Sequence, residues 1–143
     1  MRLGHVALTA EDPKALAAFY ERFLGLQRVG EAQTEQGGAM VFLSSEPGVP
    51  PELQVMSNLQ GRHVAFKVDS LDELRDLYAE APQRGARVAM SLDHGPTLSF
   101  YVHDPEGNAC EVYWETGRRS SGGVRPIDLA KSEAELLELE LGG

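Results

Sequence analysis

Two histidines, His5 and His63, stand 58 positions apart, and each opens the tripeptide His-Val-Ala. Imidazole nitrogen is a good donor for Fe, Zn, Ni or Mn. One histidine in a strand is most often structural. Two in register are harder to dismiss, because both keep a costly polar ring where valine or isoleucine would pack better. A third group of interest is Glu111, in the run Ala109–Glu115 (ACEVYWE), where apolar residues flank it. A carboxylate in the middle of such a run is expensive to bury unless it is paired or metal-bound. From periodicity alone, an outward-facing glutamate on a half-exposed strand stays open, as it does for Glu115. Together, His5, His63 and Glu111 would make a two-histidine, one-carboxylate face. That arrangement leaves three open positions on a metal and suits non-haem Fe(II).

The elements that would carry these residues come from a duplication. Residues 4–22 (GHVALTAEDPKALAAFYER) laid over residues 62–80 (RHVAFKVDSLDELRDLYAE) match at His5/His63, Val6/Val64, Ala7/Ala65, Leu16/Leu74 and Tyr20/Tyr78. Each copy opens with an apolar strand-like run, passes an acidic turn and takes up helical periodicity. Asp12-Pro13 reads as an N-cap followed by proline at the first helical position. Ser70 or Asp69 caps the second helix, with Glu73 completing a capping box after Ser70. Gly25 and Gly85 are expected to end the two helices. Short β-type runs follow each helix, at Leu26–Ala32, Gly38–Leu43 and Glu52–Ser57, then at Arg87–Ser91, Ser99–His103 and Ala109–Glu115. Each half therefore reads β-α-β-β-β. Ser44–Pro51 is a turn-rich loop, Asn58–Gly61 a linker and Asp104–Gly107 a tight hairpin turn.

The expected fold class is α+β. Two tandem modules, about residues 3–57 and 62–115, form one domain over residues 1–115, a curved and partly open mixed sheet around a metal site. Beyond it, Thr116–Val124 reads as a flexible connector. Asp128–Leu141 reads as an acidic amphipathic helix that packs on its own chain or on a partner subunit.

Composition narrows the functions. Thirteen Lys and Arg against 22 Asp and Glu give a net charge of −9, which disfavours sequence-independent nucleic-acid binding. A buried divalent cation would still create a local positive site for a small anion. Hydrophobic residues at 42% and charged residues at 24% are globular values. Cys110 is the only cysteine, so no intrachain disulfide and no cysteine-based zinc cluster can form. A reducing cytoplasm is the expected compartment. No secretory signal is visible at the start, and no apolar run reaches the length of a membrane span.

The duplicated modules, with their GHVAL and RHVAF strands and the ending SFYVHDPEGNACEVYWE, resemble the vicinal oxygen chelate superfamily. It includes glyoxalase I, fosfomycin and bleomycin resistance proteins and extradiol ring-cleavage dioxygenases. The resemblance covers about residues 3–115. The stretch His94 to Glu111 is most similar to the extradiol motif. That motif has histidine, five to seven residues, an apolar residue and tyrosine, then two residues, an acid, proline, any residue, glycine and, after two or three more, glutamate. Here these are His94, Phe100-Tyr101, Asp104-Pro105, Gly107 and Glu111. Leu92 departs from the small or β-branched residue that the motif prefers two before the histidine. The segment Asp93-His94-Gly95 and the closing Tyr113-Trp114 look like the small catechol 2,3-dioxygenase-like members.

The resemblance implies His5, His63 and Glu111 as ligands of Fe(II), with Mn(II), Zn(II) or Ni(II) as alternatives. It implies that Tyr101 hydrogen-bonds a substrate oxygen and that His94 serves as proton donor or acceptor. The implied partners are a small aromatic diol and dioxygen, in a homodimer. The larger extradiol enzymes carry a further active-site histidine that no residue here matches. Within the superfamily, a glyoxalase-like isomerase or lyase would add a carboxylate from the last strand of the first module. Glu52 is placed about where that fourth ligand would be. Drug-binding members sequester small molecules without a metal, and they would have no reason to retain the triad.

Read without the resemblance, His94 beside Gly95-Pro96 fits a surface loop and Tyr101 fits an ordinary half-buried strand. His103 reads as solvent-facing. Cys110 has the parity that packs against the helices, and Tyr20 and Tyr78 read as core residues.

Overall fold

The computed structural model describes residues 1–33, 37–57, 61–119 and 123–136. The chain divides into two compact units, Gly4–Val64 and Ala65–Gly143 together with Met1–Leu3. In the first unit, β1 (Arg2–Thr9) leads into α1 (Pro13–Leu24), followed by β2 (Gln27–Gln33), β3 (Ala39–Ser44) and β4 (Leu53–Met56). The strands lie in the order β2-β3-β4-β1. β1 and β4 are parallel, while β2–β3 and β3–β4 are antiparallel, so the sheet is mixed. The second unit repeats the plan. β5 (His63–Lys67) crosses the boundary into it, α2 (Leu71–Glu80) follows, and β6 (Val88–Asp93), β7 (Thr97–His103) and β8 (Ala109–Glu115) complete the module. Its order is β5-β8-β7-β6, extended at the edge by the two-residue β9 (Arg125–Pro126). Neither row of strands closes on itself. The two helices start 58 residues apart, at Pro13 and Leu71, and so do β3 and β7, at Ala39 and Thr97. This is the spacing of the histidines.

The helix boundaries follow from the caps. The Asp12 carboxylate accepts from the Ala15 amide at 3.1 Å, and Pro13 occupies the first turn, where its missing N–H costs nothing. Gly25 closes α1 with φ 70°, a left-handed geometry that a Cβ would strain. The Ser70 hydroxyl accepts from the Glu73 amide at 3.0 Å, and Glu73 reaches back to the Asp69 amide at 3.1 Å. The second helix stops earlier than its glycine suggests. It ends at Glu80, because Pro82 brings no amide donor to continue the ladder. Gly85 instead closes a short 3-10 turn over Pro82–Arg84.

Each helix covers one face of its strands. In the first unit, Ala17 and Tyr20 pack on Val41, Leu43 and Leu53. In the second, Leu71, Leu74 and Tyr78 pack on Leu98, Phe100 and Val112. Alternation along the strands therefore sends the remaining side chains to the opposite face. His5 and Gln54 take that face in the first unit; Ser99, Tyr101, Glu111 and Tyr113 take it in the second. Cys110 falls on the helix side, and burial pushes its thiol up.

Of the expected connector Thr116–Val124, residues 120–122 lie outside the described residues. Thr116 and Arg118 are hydrogen-bonded into the second unit, and Arg125–Pro126 pairs with β6. Ile127, Leu129 and Leu136 belong to the second core, so this segment packs on its own chain. Ser132 caps a helical turn that begins at Glu133, later than the expected start at Asp128. The rest of the expected helix, residues 137–143, and most of the expected linker, residues 58–60, lie outside the described residues. Among the described residues, no helix is long and apolar enough to cross a membrane.

Phe100 is 2% exposed and meets the Tyr78 ring edge-on, with centroids 5.7 Å apart. Phe100→Ala should therefore cost about 3–5 kcal/mol. Phe23→Ala, at a ring 70% exposed, should stay within about 0.5 kcal/mol. Urea denaturation of the two variants beside the parent chain measures both.

Candidate functional site

In the first unit, the two histidines meet. His5 Nε2 and His63 Nε2 are 3.0 Å apart, and the rings stand edge to face at 80°. His63 Nδ1 lies 2.7 Å from the Gly61 carbonyl oxygen. A carbonyl only accepts, so Nδ1 carries the proton and Nε2 presents its lone pair. Without a metal, the contact with His5 is then an N–H···N bond donated by His5. The Gly61 backbone that orients His63 runs against the Met56 thioether, and a Cβ at Gly61 would collide with it.

Glu52, the possible fourth ligand of the glyoxalase-like alternative, is hydrogen-bonded to Ser45. It precedes β4, is exposed, and accepts from both the amide and the hydroxyl of Ser45, which hold its carboxyl below the usual range. Strand register singles out a different residue. Gln54 pairs with Phe42 on β3, as Glu111 pairs with Tyr101 on β7. It is also the Cα partner of Ala7, two residues from His5. The Ala10 amide donates to the Met56 carbonyl as the Val68 amide, 58 residues on, donates to the Tyr113 carbonyl, so Gln54, two before Met56, is the first-module counterpart of Glu111, two before Tyr113. Strand parity was the available signal, since Gln54 and Glu52 share a face.

The second unit holds a chain of three groups. Glu111, 4% exposed, accepts from the Tyr101 hydroxyl at 2.8 Å. Tyr101 Oη in turn lies 3.0 Å from His94 Nε2, and His94 Nε2 is 3.7 Å from Glu111 Oε2. Because the Tyr101 proton points to Glu111, His94 Nε2 acts as donor to the phenol oxygen. Burial, then the charge of Glu111 and the hydrogen bond to it, push the phenol far above its ordinary value. Tyr101 therefore remains a neutral donor across the working pH range. Within its own unit, His5 meets His63, and His94 meets Tyr101 and, through it, Glu111.

Sequence reasoning missed the support behind His94. Asp93, 4% exposed, ends β6. Its carboxylate accepts from the Gly95 amide at 2.8 Å, from Arg118 at 2.8 and 3.2 Å, and from Arg125 at 3.2 Å. Burial alone would raise this carboxyl. The hydrogen bonds and charge of Arg118, the Gly95 amide and Arg125 outweigh burial and hold it below the usual carboxylate range. The one available signal was an acid directly before the motif histidine.

With this geometry in hand, comparison with known proteins defines the class. The chain belongs to the Glyoxalase/Bleomycin resistance protein/Dioxygenase superfamily, which matches residues 2–112. Among curated relatives, "Biphenyl-2,3-diol 1,2-dioxygenase 3" of Rhodococcus globerulus is 28% identical over 117 residues, 78% of this chain and 62% of that protein. "Biphenyl-2,3-diol 1,2-dioxygenase 2" of the same organism is 36% identical over 118 residues, 78% of this chain and 61% of that protein. The chain thus spans about three-fifths of the relatives' length. Solved structures share the fold. A Mn(II)-bound glyoxalase from Novosphingobium aromaticivorans superposes with a TM-score of 0.67 at 22% identity, covering 92% of this chain and 43% of that one. A methylmalonyl-CoA epimerase from Streptomyces coelicolor superposes at 0.63 and 18% identity, covering 82% and 99%.

Asp93 makes a testable contribution to acid stability. Its pKa is lower folded than the unfolded value of about 3.9. Its stabilisation is therefore complete above that value and is lost as pH falls through the lowered folded one. Asp93→Asn should flatten the loss of stability below about pH 4, read from urea midpoints at stepped pH. An unchanged slope would show that Asp93 is not the group responsible.

Proposed function

We propose that this protein is a metal-dependent extradiol dioxygenase acting on a catechol-type vicinal diol, with His5, His63 and Glu111 as metal ligands. The observation that carries the reading is the 3.0 Å separation of the His5 and His63 Nε2 atoms. Two imidazole nitrogens this close could both be ligands of one ion, and a two-histidine, one-carboxylate donor set would suit Fe(II) or Mn(II). Glu111 offers a carboxylate oxygen as third donor. The relatives named as biphenyl-2,3-diol dioxygenases support the choice of reaction.

When bound, Fe(II) would supply the Lewis acidity that acidifies a chelated diol and the redox couple that lets dioxygen react with it. The protein's own groups do the rest. The Gly61 carbonyl keeps the His63 lone pair available. Tyr101, kept neutral, hydrogen-bonds a substrate oxygen, to which it would redirect the one proton it gives Glu111 in the free site. His94, 29% exposed at its side chain and linked to that phenol, delivers its Nε2 proton as the ring opens.

One observation favours a second reading. Gln54 stands at the register position of Glu111 and could add an amide oxygen as fourth donor. That would close one position and suit isomerase chemistry of the kind named for the structural neighbours.

Metal analysis of anaerobically purified protein should give about one ion per chain, and His63→Ala should lose it. Retained stoichiometric metal in that variant would remove the site. An oxygen electrode with biphenyl-2,3-diol and simple catechols should register one dioxygen per diol consumed. No uptake by the Fe(II)-loaded protein would favour the isomerase reading. His94→Ala should keep its metal and lose about 10²–10⁴-fold in turnover; undiminished turnover would refute the proton-transfer role.

A further inference from the structure

We propose that Arg118 and Arg125 are positioning residues for His94, acting through Asp93. Both lie beyond residue 112, where the family match ends. The inference rests on the reading of His94 as the proton-transfer group.

His94 sits in a three-residue turn between β6 and β7, and both of its chain neighbours are held. On one side, Asp93 Oδ1 accepts from the Gly95 amide two residues on, closing the turn at 2.8 Å. Arg118 forks onto both oxygens of the same carboxylate, and Arg125 reaches Oδ2 through Nε and a terminal nitrogen. On the other side, the Thr116 hydroxyl donates to the Gly95 carbonyl at 2.7 Å, and the Thr116 amide donates to the Pro96 carbonyl at 2.9 Å. Thr116 Oγ1 also accepts from the Arg118 amide at 3.0 Å, which ties the two sides together. The His94 amide itself donates to Thr97. With the backbone fixed on both flanks, the imidazole keeps only its own side-chain torsions, and its Nε2 meets Tyr101 Oη at 3.0 Å.

Stability alone does not account for such a cluster. A buried ion pair is a weak stabiliser, often no better than apolar residues of similar volume. A bidentate guanidinium from Arg118, with Arg125 donating twice to Oδ2, does impose a direction that apolar packing cannot. Their source is also specific. Arg125 reaches Asp93 because Arg125–Pro126 pairs with the end of β6, with Arg125 opposite Asp93 itself. The following residues, Ile127 and Leu129, anchor that segment in the second core. Thr116, Arg118 and Arg125, all past β8, thus hold the turn that carries His94.

The test uses the full chain with Arg118→Met and Arg125→Met combined. Methionine keeps the stem and leaves the core leucines of the segment in place. By NMR, the double variant should lose amide-exchange protection at Gly95 and the cross-peaks between the His94 and Tyr101 rings. The Tyr78–Phe100 contact serves as the control for an intact fold. If that control is lost, Arg125→Met alone replaces it, since Arg125 is 47% exposed. Retained Gly95 protection and retained cross-peaks would overturn the proposal whatever the enzyme does. In turnover of biphenyl-2,3-diol, kcat should fall about 10- to 100-fold with KM within about twofold. On a His94→Ala background, the two substitutions should cost nothing further. A loss that multiplies on that background would mean the arginines act elsewhere and would also overturn the proposal. If His94→Ala turns over normally while the NMR changes occur, the positioning stands and only the proton-transfer role falls.

Discussion

A carboxylate can occupy the inside of a strand only if something answers its charge, and Glu111 sets this constraint for the second unit. It is 4% exposed in a strand whose alternate residues face an apolar core. Its answer includes the Tyr101 hydroxyl on the paired strand, which burial and the same charge keep protonated. His94 then follows at hydrogen-bond distance from the phenol. Each group dictates the state of the next: the acid holds the phenol neutral, and the phenol's committed proton makes the imidazole a donor toward it. This coupling depends on β7 and β8 pairing Tyr101 directly opposite Glu111.

The same βαβββ plan serves two ends in the two units. In each, the helix covers one face of the strands and leaves the other for polar groups. At the register position where the second unit pairs Tyr101 with Glu111, the first pairs Phe42 with Gln54. A charged position in one copy is neutral in the other, while the histidine at the start of the module is kept in both. Duplication supplied two equivalent frames, and divergence placed the carboxylate in only one of them. The first unit's contribution is the pair of imidazoles, with the His63 tautomer set by the Gly61 carbonyl.

Beyond the family match, the described residues Thr116, Arg118, Arg125–Ile127, Leu129 and Leu136 are bonded or packed into the second unit. Leu129 and Leu136 extend its core, and Arg125 is carried alongside β6 by strand pairing. The composition of Thr116–Val124, rich in glycine, serine and arginine, reads as a connector because nothing local signals order. Order at Thr116 and Arg118 comes from acceptors more than 20 residues earlier in the chain, Gly95 and Asp93. A buried carboxylate can thus organise a segment whose own propensities are weak.

Local chemistry made much of this protein legible in its residues. Asp12-Pro13 and Ser70 with Glu73 mark helix starts, because caps are satisfied by neighbours within four residues. The repeat of His-Val-Ala and the spacing from His94 to Glu111 carried the module plan and the candidate donors. What local signals could not carry was partnership between distant residues. Pro82 ended α2 before Gly85 could, a competition between two nearby stop signals. The Ser45 bonds to Glu52 and the place of Gln54 on β4 belong to strand register and loop packing. Asp93 showed only as an acid beside the motif histidine, and Arg118 and Arg125 were silent in the sequence, because an ion cluster is made by strand pairing and packing. Caps, turns and periodicity are short-range and written in consecutive residues; the state of a buried charge is decided by whatever the fold brings beside it.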